Sequence, residues 1–158
     1  MDDIDRALIR ALVVSGRSTW ASLGEQVGLS APAVHERVHK LEAVGVILGY
    51  SALVAPEHLE ADTAAVIALR TQGNAQERAR LEADLAQEAA VLELHEVAGD
   101  DCYLAKVRVH STAELAALLA RLRERHPGLT SRSSVVLRSV FERPLLWPTE
   151  QPPPLNLL

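Results

Sequence analysis

Cysteine and long apolar runs are scarce in this sequence. Its 158 residues include a single cysteine, so no disulfide can form within the chain, and a reducing compartment is expected. No apolar run is long enough to span a bilayer, and the opening residues MDDIDR are acidic and polar, unlike a signal peptide. We therefore expect a cytoplasmic protein with no membrane partner.

An excess of positive charge is also absent. The net charge is −5 at pH 7, and residues 1–50 hold five Lys and Arg against six Asp and Glu, a net charge of −1. A nucleic-acid-binding protein with this balance must concentrate its cations on one face and gain affinity by assembling into a dimer or larger. The apolar content of 48% suffices for a sizeable core, in one domain or in two small ones.

The first 27 residues predict two short helices. One of the first two aspartates can cap a helix over residues 3–15, and Thr19 can cap a second helix over residues 19–27. Gly24 lies inside the second helix, where glycine costs about 1 kcal/mol relative to alanine. Close packing against the next helix is the expected reason for this glycine.

A third helix is predicted between Gly28 and Gly45, with Ser30 as its N-cap. Helix, short glycine turn and helix make the helix-turn-helix arrangement of DNA-binding proteins, whose second helix enters the major groove. The stripe that faces the core consists of Val34, Val38 and Leu41. This unit is predicted to be the DNA-binding part of the chain.

The opposite face of the third helix suits major-groove DNA. Small residues near its start allow close approach, histidine and glutamate can bond to base edges, and lysine can meet phosphate. Arg37 lies beside the core stripe, where it can reach a phosphate while its stem packs. The predicted DNA-binding residues are Ser30, Pro32, Ala33, His35, Glu36, Arg37, His39 and Lys40.

The same helix matches the zinc-protease pattern H-E-x-x-H, in the segment His35-Glu36-Arg37-Val38-His39. Two histidines four residues apart can share a metal, the glutamate could act as general base, and Glu57, His58 or Glu60 could supply a third ligand. Short motifs match by accident, so we expect no catalytic residue, no bound metal and no cofactor. A zinc hydrolase stays as an alternative.

The rest of the chain alternates strands and helices. Residues 46–54 predict a strand ending at Ala55-Pro56, and residues 56–62 predict a linker. Asn74 and Ser111 can cap two helices, the first with Leu81, Leu85 and Ala89 along its buried face. Further strands are predicted at residues 63–69, 91–97, 102–109 and 129–142. The tail, PLLWPTEQPPPLNLL, is too rich in proline for regular structure.

The order after the linker is βαββαβ, which predicts a ferredoxin-like antiparallel sheet with both helices on one face. The fold class is therefore α+β, with a three-helix unit followed by this sheet. The strands carry apolar residues on both faces, for example in the run from Ala64 to Leu69. We therefore expect the uncovered face to bury itself on a second subunit, most simply in an isologous homodimer.

A long run of positions falls at the spacing of one known family. They are Met1-Asp2, Asp5, Gly16-Arg17, Thr19, Gly28-Leu29-Ser30, Val34, Arg37-Val38, Leu41-Glu42, Gly45-Val46-Ile47 and Gly49-Tyr50. From its start to about Glu142, the chain resembles the Lrp/AsnC, or feast/famine, family of transcription regulators. Two departures are the Asp101-Cys102 pair, where the family often has an aromatic residue and then aspartate, and Ser22 in place of a capping glutamate.

The resemblance implies a winged-helix-like DNA-binding domain followed by a domain for effector binding and oligomerisation. It also implies dimers formed through the sheets, which often assemble to octamers, and small effectors, commonly amino acids, bound between dimers. The effector loop would correspond to Gly99, Asp100, Asp101 and Cys102. The predicted domains are residues 1–55 for DNA binding, 56–62 as linker, 63–143 for effector binding and oligomerisation, and 144–158 as tail.

Residues and resemblance together predict a sequence-specific transcription regulator that binds double-stranded DNA and responds to a small effector such as an amino acid. The first alternative is an architectural DNA-binding protein of the same fold without a ligand, in which residues 99–102 would be an ordinary solvated turn. The second is the zinc hydrolase described above.

Overall fold

Residues 1–142 are described by the computed structural model, and they divide into two units: Met1–Leu53 together with Phe141 and Glu142, and Val54–Val140. The proline-rich tail predicted at residues 144–158 lies outside the described residues. Within the described part of the chain, no helix combines the length and the apolar character that a membrane span requires.

Three capped helices form the first unit, as predicted. They are α1 (Asp3–Val14), α2 (Trp20–Val27) and α3 (Ala31–Ala43). Asp2, Thr19 and Ser30 each place a side-chain oxygen against a free amide of the first turn, at 2.8, 3.2 and 3.4 Å. The apolar faces of the helices meet in a small core made of Leu8, Leu12, Leu23, Val34 and Val38.

The turn between α2 and α3 is tight enough to require a glycine within α2. The carbonyl of Gly24 accepts the amide of Leu29 at 3.0 Å. A Cβ atom on Gly24 would lie 2.3 Å from the carbonyl oxygen of Leu29, far closer than real Cβ contacts. Gly28, at φ 71°, supplies the left-handed turn itself. The prediction that Gly24 permits close packing is therefore confirmed.

The strand predicted at residues 46–54 is wrong. After Gly45 the chain runs without regular structure until a short 3₁₀ helix, Pro56–Leu59. The segment is rich in strand-forming residues, but a strand needs a neighbouring ladder of hydrogen bonds, and no described residue supplies one. Leu48 and Leu53 are therefore left 94% and 88% exposed.

The second unit has the predicted βαββαβ order. Its elements are β1 (Thr63–Arg70), α4 (Ala75–Gln87), β2 (Val91–Glu96), β3 (Tyr103–Val109), α5 (Thr112–Arg125) and β4 (Thr130–Val135). The sheet has the order β2-β3-β1-β4 with every pair antiparallel, which confirms the ferredoxin-like fold. The β2 strand carries an irregularity between Val91 and Glu93.

Both helices cover one face of the sheet. The core between them consists of Ala65, Ile67, Leu69, Leu81, Leu85, Tyr103, Ala105, Val107, Val109, Leu115, Leu118, Leu122 and Leu129. Ala89, predicted on the buried face of α4, is exposed because the helix ends at Gln87, two residues earlier.

The last strand is much shorter than the predicted span of residues 129–142. Val135 pairs with Ala65, and the amide of Val136 still donates to the carbonyl of Ala64 at 2.8 Å. The partner strand β1 begins at Thr63, so the ladder has no further carbonyls to offer. The strand-forming residues beyond Val135 therefore lie outside the sheet.

Candidate nucleic-acid interface and effector loop

Burial of one stripe of α3 leaves the opposite side of the helix to solvent. Val34, Val38 and Leu41 are 0%, 1% and 6% exposed, and these residues recur at helical spacing. Pro32, His35, Glu36, His39 and Lys40 are all exposed, and we call these five residues the outer face of α3. Of the other predicted DNA-binding residues, Ser30 is exposed and uses its hydroxyl to cap the helix, and Ala33 is half-buried.

The two histidines of the outer face are arranged together with an aromatic residue of α2. The rings of His35 and His39 stack with centroids 6.2 Å apart and planes 5° from parallel. Trp20 meets His35 edge-on at 5.5 Å. Trp20 was not among the residues predicted from the sequence, although its place at the first position of α2 could have indicated it. These contacts restrict the ring of His35, whose nitrogens can donate or accept hydrogen bonds.

Glu42 links the end of α3 to the chain that follows. Its carboxylate accepts the phenol of Tyr50 at 2.9 Å and lies 3.5 Å from Nδ1 of His39. Partial burial, together with the nearby carboxylate, raises the pKa of Tyr50 to about 12. The irregular segment after Gly45 is thereby attached to the helix that bears the outer face.

Arg37 bonds to carboxylates of the chain itself. Its Nη1 atom donates to Asp2 and to Asp5, at 2.8 Å in each case. These bonds raise the pKa of Arg37, and the amide of Asp5 together with the guanidinium lowers the pKa of Asp2. From the sequence, Arg37 was expected to reach a phosphate, and this pairing was not predicted because the partners lie 35 and 32 residues away. Lys40, by contrast, makes no ion pair within residues 1–142.

A groove of about 710 Å³ runs beside these groups, between the start of α1 and the second half of α3. Its lining includes Asp2, Asp5, Glu36, Arg37 and Lys40. The groove therefore belongs to the same surface as the outer face of α3.

The histidine pair does not recruit further metal ligands in the described residues. No group of three or more His, Cys, Asp or Glu side chains suited to a metal occurs among residues 1–142. The third ligands considered in the sequence, Glu57, His58 and Glu60, are exposed residues in or beside the 3₁₀ helix.

The 99–102 loop joins β2 to β3 and begins with Gly99 at φ 142°, a conformation that favours glycine. Asp100 is exposed, whereas Asp101 is held by the guanidinium of Arg132 at 2.9 Å. The amide of Cys102 donates to the carbonyl of Leu69 at 2.9 Å. The loop is thus fixed against the end of β1 and the start of β4.

The residue after the loop connects it to a helix. Tyr103 is 2% exposed, and its hydroxyl donates to Glu82 of α4 at 2.6 Å. Burial and the nearby carboxylate raise the pKa of this phenol to about 12. Neither Glu82 nor Arg132 was predicted from the sequence, because these residues belong to α4 and β4, which approach Asp101 and Tyr103 only in the folded domain.

The face of the sheet away from the helices mixes apolar and charged side chains. Val66 and Leu104 are 41% and 37% exposed there. Val66 pairs across the sheet with Lys106, whose ammonium lies 3.6 Å from the carboxylate of Glu93. This face is less apolar than the sequence suggested, because only β1 is apolar on both sides.

Comparison with known proteins agrees with both units. The model of the AsnC-type helix-turn-helix domain matches residues 1–42, and that of the Lrp/AsnC ligand binding domain matches residues 64–146. The chain is 38% identical over 144 residues to the HTH-type transcriptional regulator LrpA of Mycobacterium tuberculosis, covering 89% of this chain and 93% of the relative. It is 32% identical over 142 residues to the leucine-responsive regulatory protein of Escherichia coli K12, covering 89% and 87%.

A similar solved structure is the feast or famine regulatory protein from M. tuberculosis complexed with L-methionine. It shares 36% sequence identity with this chain, covers 89% of this chain and 95% of its own, and superposes with a TM-score of 0.79. Two family models, sequence relatives that cover most of the chain, and this fold all agree. The chain belongs to the Lrp/AsnC family of transcription regulators.

Proposed function

We propose that this family member binds double-stranded DNA by inserting the outer face of α3 into the major groove. The observation that carries the proposal is the arrangement of that face, a row of exposed His, Glu and Lys side chains directly opposite a buried apolar stripe. Glu36 can accept from cytosine, and His39 can bond to a purine edge. Lys40, which lacks an ion pair among the described residues, is the cation available to a phosphate.

The test is selection of binding sites from random duplex DNA, followed by titration at several salt concentrations. Glu36→Ala and His39→Ala should change the selected sequence, since each base contact is worth roughly 1–3 kcal/mol of discrimination. Lys40→Ala should weaken binding to all sequences alike and flatten the salt dependence by about one unit of slope. Arg80→Ala, which removes an exposed arginine of α4, is the matched control and should leave both readouts unchanged. If Glu36→Ala and His39→Ala both select the same DNA sequence as the wild type, the outer face of α3 does not read the bases.

We also propose that an amino acid binds at the 99–102 loop. The relative from M. tuberculosis was solved with L-methionine, and the exposed carboxylate of Asp100 suits an ammonium group. Gly99 lets a ligand approach the backbone closely. The effector would change DNA occupancy by favouring one assembly state over another.

This second part is tested by calorimetric titration with a panel of amino acids, including L-methionine and L-leucine. Asp100→Asn and Gly99→Val should each weaken binding, whereas Asp62→Asn, an exposed aspartate outside the loop, should not. A response that persists unchanged in both loop variants would place the effector elsewhere. No response to any amino acid would favour the ligand-independent architectural alternative.

The proposed assembly is a homodimer formed through the face of the sheet away from the helices, and these dimers associate further to an octamer. The proposed location is the cytoplasm. Light scattering measures its mass directly. Val66→Asp should dissociate the dimer because it puts a charge at the centre of that face, while Val14→Asp, at an exposed position of α1, should not. A monomeric wild type would refute the dimer.

A further inference from the structure

Two aspartates at the start of the chain use all four carboxylate oxygens within the first unit. One oxygen of Asp2 accepts the amide of Asp5, and one oxygen of Asp5 accepts the amide of Asp2, at 2.8 and 3.0 Å. The remaining oxygen of each accepts from Nη1 of Arg37, at 2.8 Å. The cap of α1 and the bridge to α3 are therefore one network.

We infer that Arg37, held by Asp2 and Asp5, is a positioning residue that fixes the angle at which α3 presents its outer face to DNA. The inference rests on the proposed function of α3. Arg37 lies between Glu36 of the outer face and Val38 of the buried stripe. A rotation of α3 about its own axis would carry Nη1 away from both carboxylates, so the bridge resists that rotation.

Exposure and charge agree with this role. The side chains of Asp5 and Arg37 are 15% and 36% exposed, so the bridge is partly shielded from water and salt. Two carboxylates and one guanidinium carry a net charge of −1. A phosphate approaching this cluster would meet a net negative charge, whereas Lys40 makes no ion pair among the described residues. Base contacts, which need donor and acceptor within a few tenths of an ångström, depend directly on the angle of the helix.

The experiment measures binding to the selected operator and to an unrelated duplex at several salt concentrations, for Asp5→Asn, Arg37→Met and the double variant. We expect each single variant to lower operator binding by at least about fivefold and to leave non-specific binding and the salt slope unchanged. The double variant should lose no more operator affinity than either single variant, because both changes break the same bridge. Arg37→Lys should restore discrimination, because a single nitrogen, Nη1, bonds both carboxylates and an ammonium nitrogen carries three donors. Arg6→Met, at an exposed arginine of α1, is the matched control.

If Arg37 instead binds a DNA phosphate, the same variants should give different results. Arg37→Met would then reduce the salt slope by about one unit, and Asp5→Asn would strengthen binding by releasing the guanidinium. Either result overturns the inference. If Arg37→Met or Asp5→Asn unfolds the first unit, Asp2→Asn, at the more exposed aspartate, is tested with the same two measurements, operator binding and salt slope. If the wild-type protein selects no operator, the proposed function itself is refuted. This outcome differs from a loss of discrimination that occurs only in the variants.

Discussion

Replacing Gly24 by alanine should have two opposing effects on the stability of the first unit. Alanine favours the helical state by about 1 kcal/mol relative to glycine, so an exposed helix would become more stable. At this position the new methyl group would lie 2.3 Å from the backbone carbonyl oxygen of Leu29, about 1 Å inside an ordinary contact of 3.4 Å. A backbone atom cannot move aside as a side chain can, so the turn between α2 and α3 must open.

Overpacking of this kind costs about 1–3 kcal/mol, and a backbone clash belongs at the upper end of that range. After the gain in helix propensity, we expect Gly24→Ala to destabilise the first unit by roughly 1–2 kcal/mol. Gly16→Ala is the matched control, because its methyl group would meet Cδ1 of Tyr50 at an ordinary 3.4 Å. That variant should range from no change to a gain of about 1 kcal/mol.

Urea unfolding followed by tryptophan fluorescence gives the comparison, in a Trp147→Phe background so that Trp20 alone reports on the first unit. Gly24→Ala should shift the midpoint down with an unchanged slope. A Gly24→Ala variant as stable as the wild type would refute the steric argument, as would an equal loss in Gly16→Ala.

Three further predictions concern the second unit and the histidine pair. Tyr103→Phe removes a hydrogen bond to Glu82 and should cost about 1 kcal/mol of unfolding free energy. The pKa of Tyr103 is raised to about 12 in the folded state. Its contribution to the free energy of unfolding is therefore complete below pH 10 and is lost as the pH rises from 10 to 12. Denaturation of Tyr103→Phe, measured over this pH range, should not show this loss. Glu88→Gln weakens ion pairs to Arg121 and Arg125 and should cost up to about 1 kcal/mol, less in 1 M salt, by thermal melting. Untagged protein should hold less than stoichiometric zinc by elemental analysis, and stoichiometric zinc with chelator-sensitive peptide hydrolysis would support the hydrolase alternative.

Local chemistry made much of the fold predictable. Asp2, Thr19, Ser30 and Asn74 cap helices where the sequence indicates them, because a cap depends only on residues within one turn. Alternation of apolar and polar residues likewise located β3 and the side of the strand that faces the core.

Features set by distant partners could not be predicted in the same way. The segment of residues 46–54 has the composition of a strand but no ladder to join, and the end of β4 is set by where β1 begins. The carboxylate partners of Arg37 and the contact of Asp101 with Arg132 arise only when separate elements meet. For the candidate sites, the sequence therefore predicted which residues lie on a surface and missed which of them hold one another.

The irregularity in β2 has a consequence for how copies of this domain can associate. Among the described residues, β2 and β4 are the outermost strands of the sheet, and the outer side of each has no hydrogen-bonded strand beside it. The irregularity between Val91 and Glu93 bends one border, and the other, Thr130–Val135, is short and rich in serine with an arginine at its centre. Both features discourage a foreign strand from extending the ladder. Concentrated protein should therefore resist growth into continuous β-fibres, which keeps its backbone hydrogen bonding confined to the single domain.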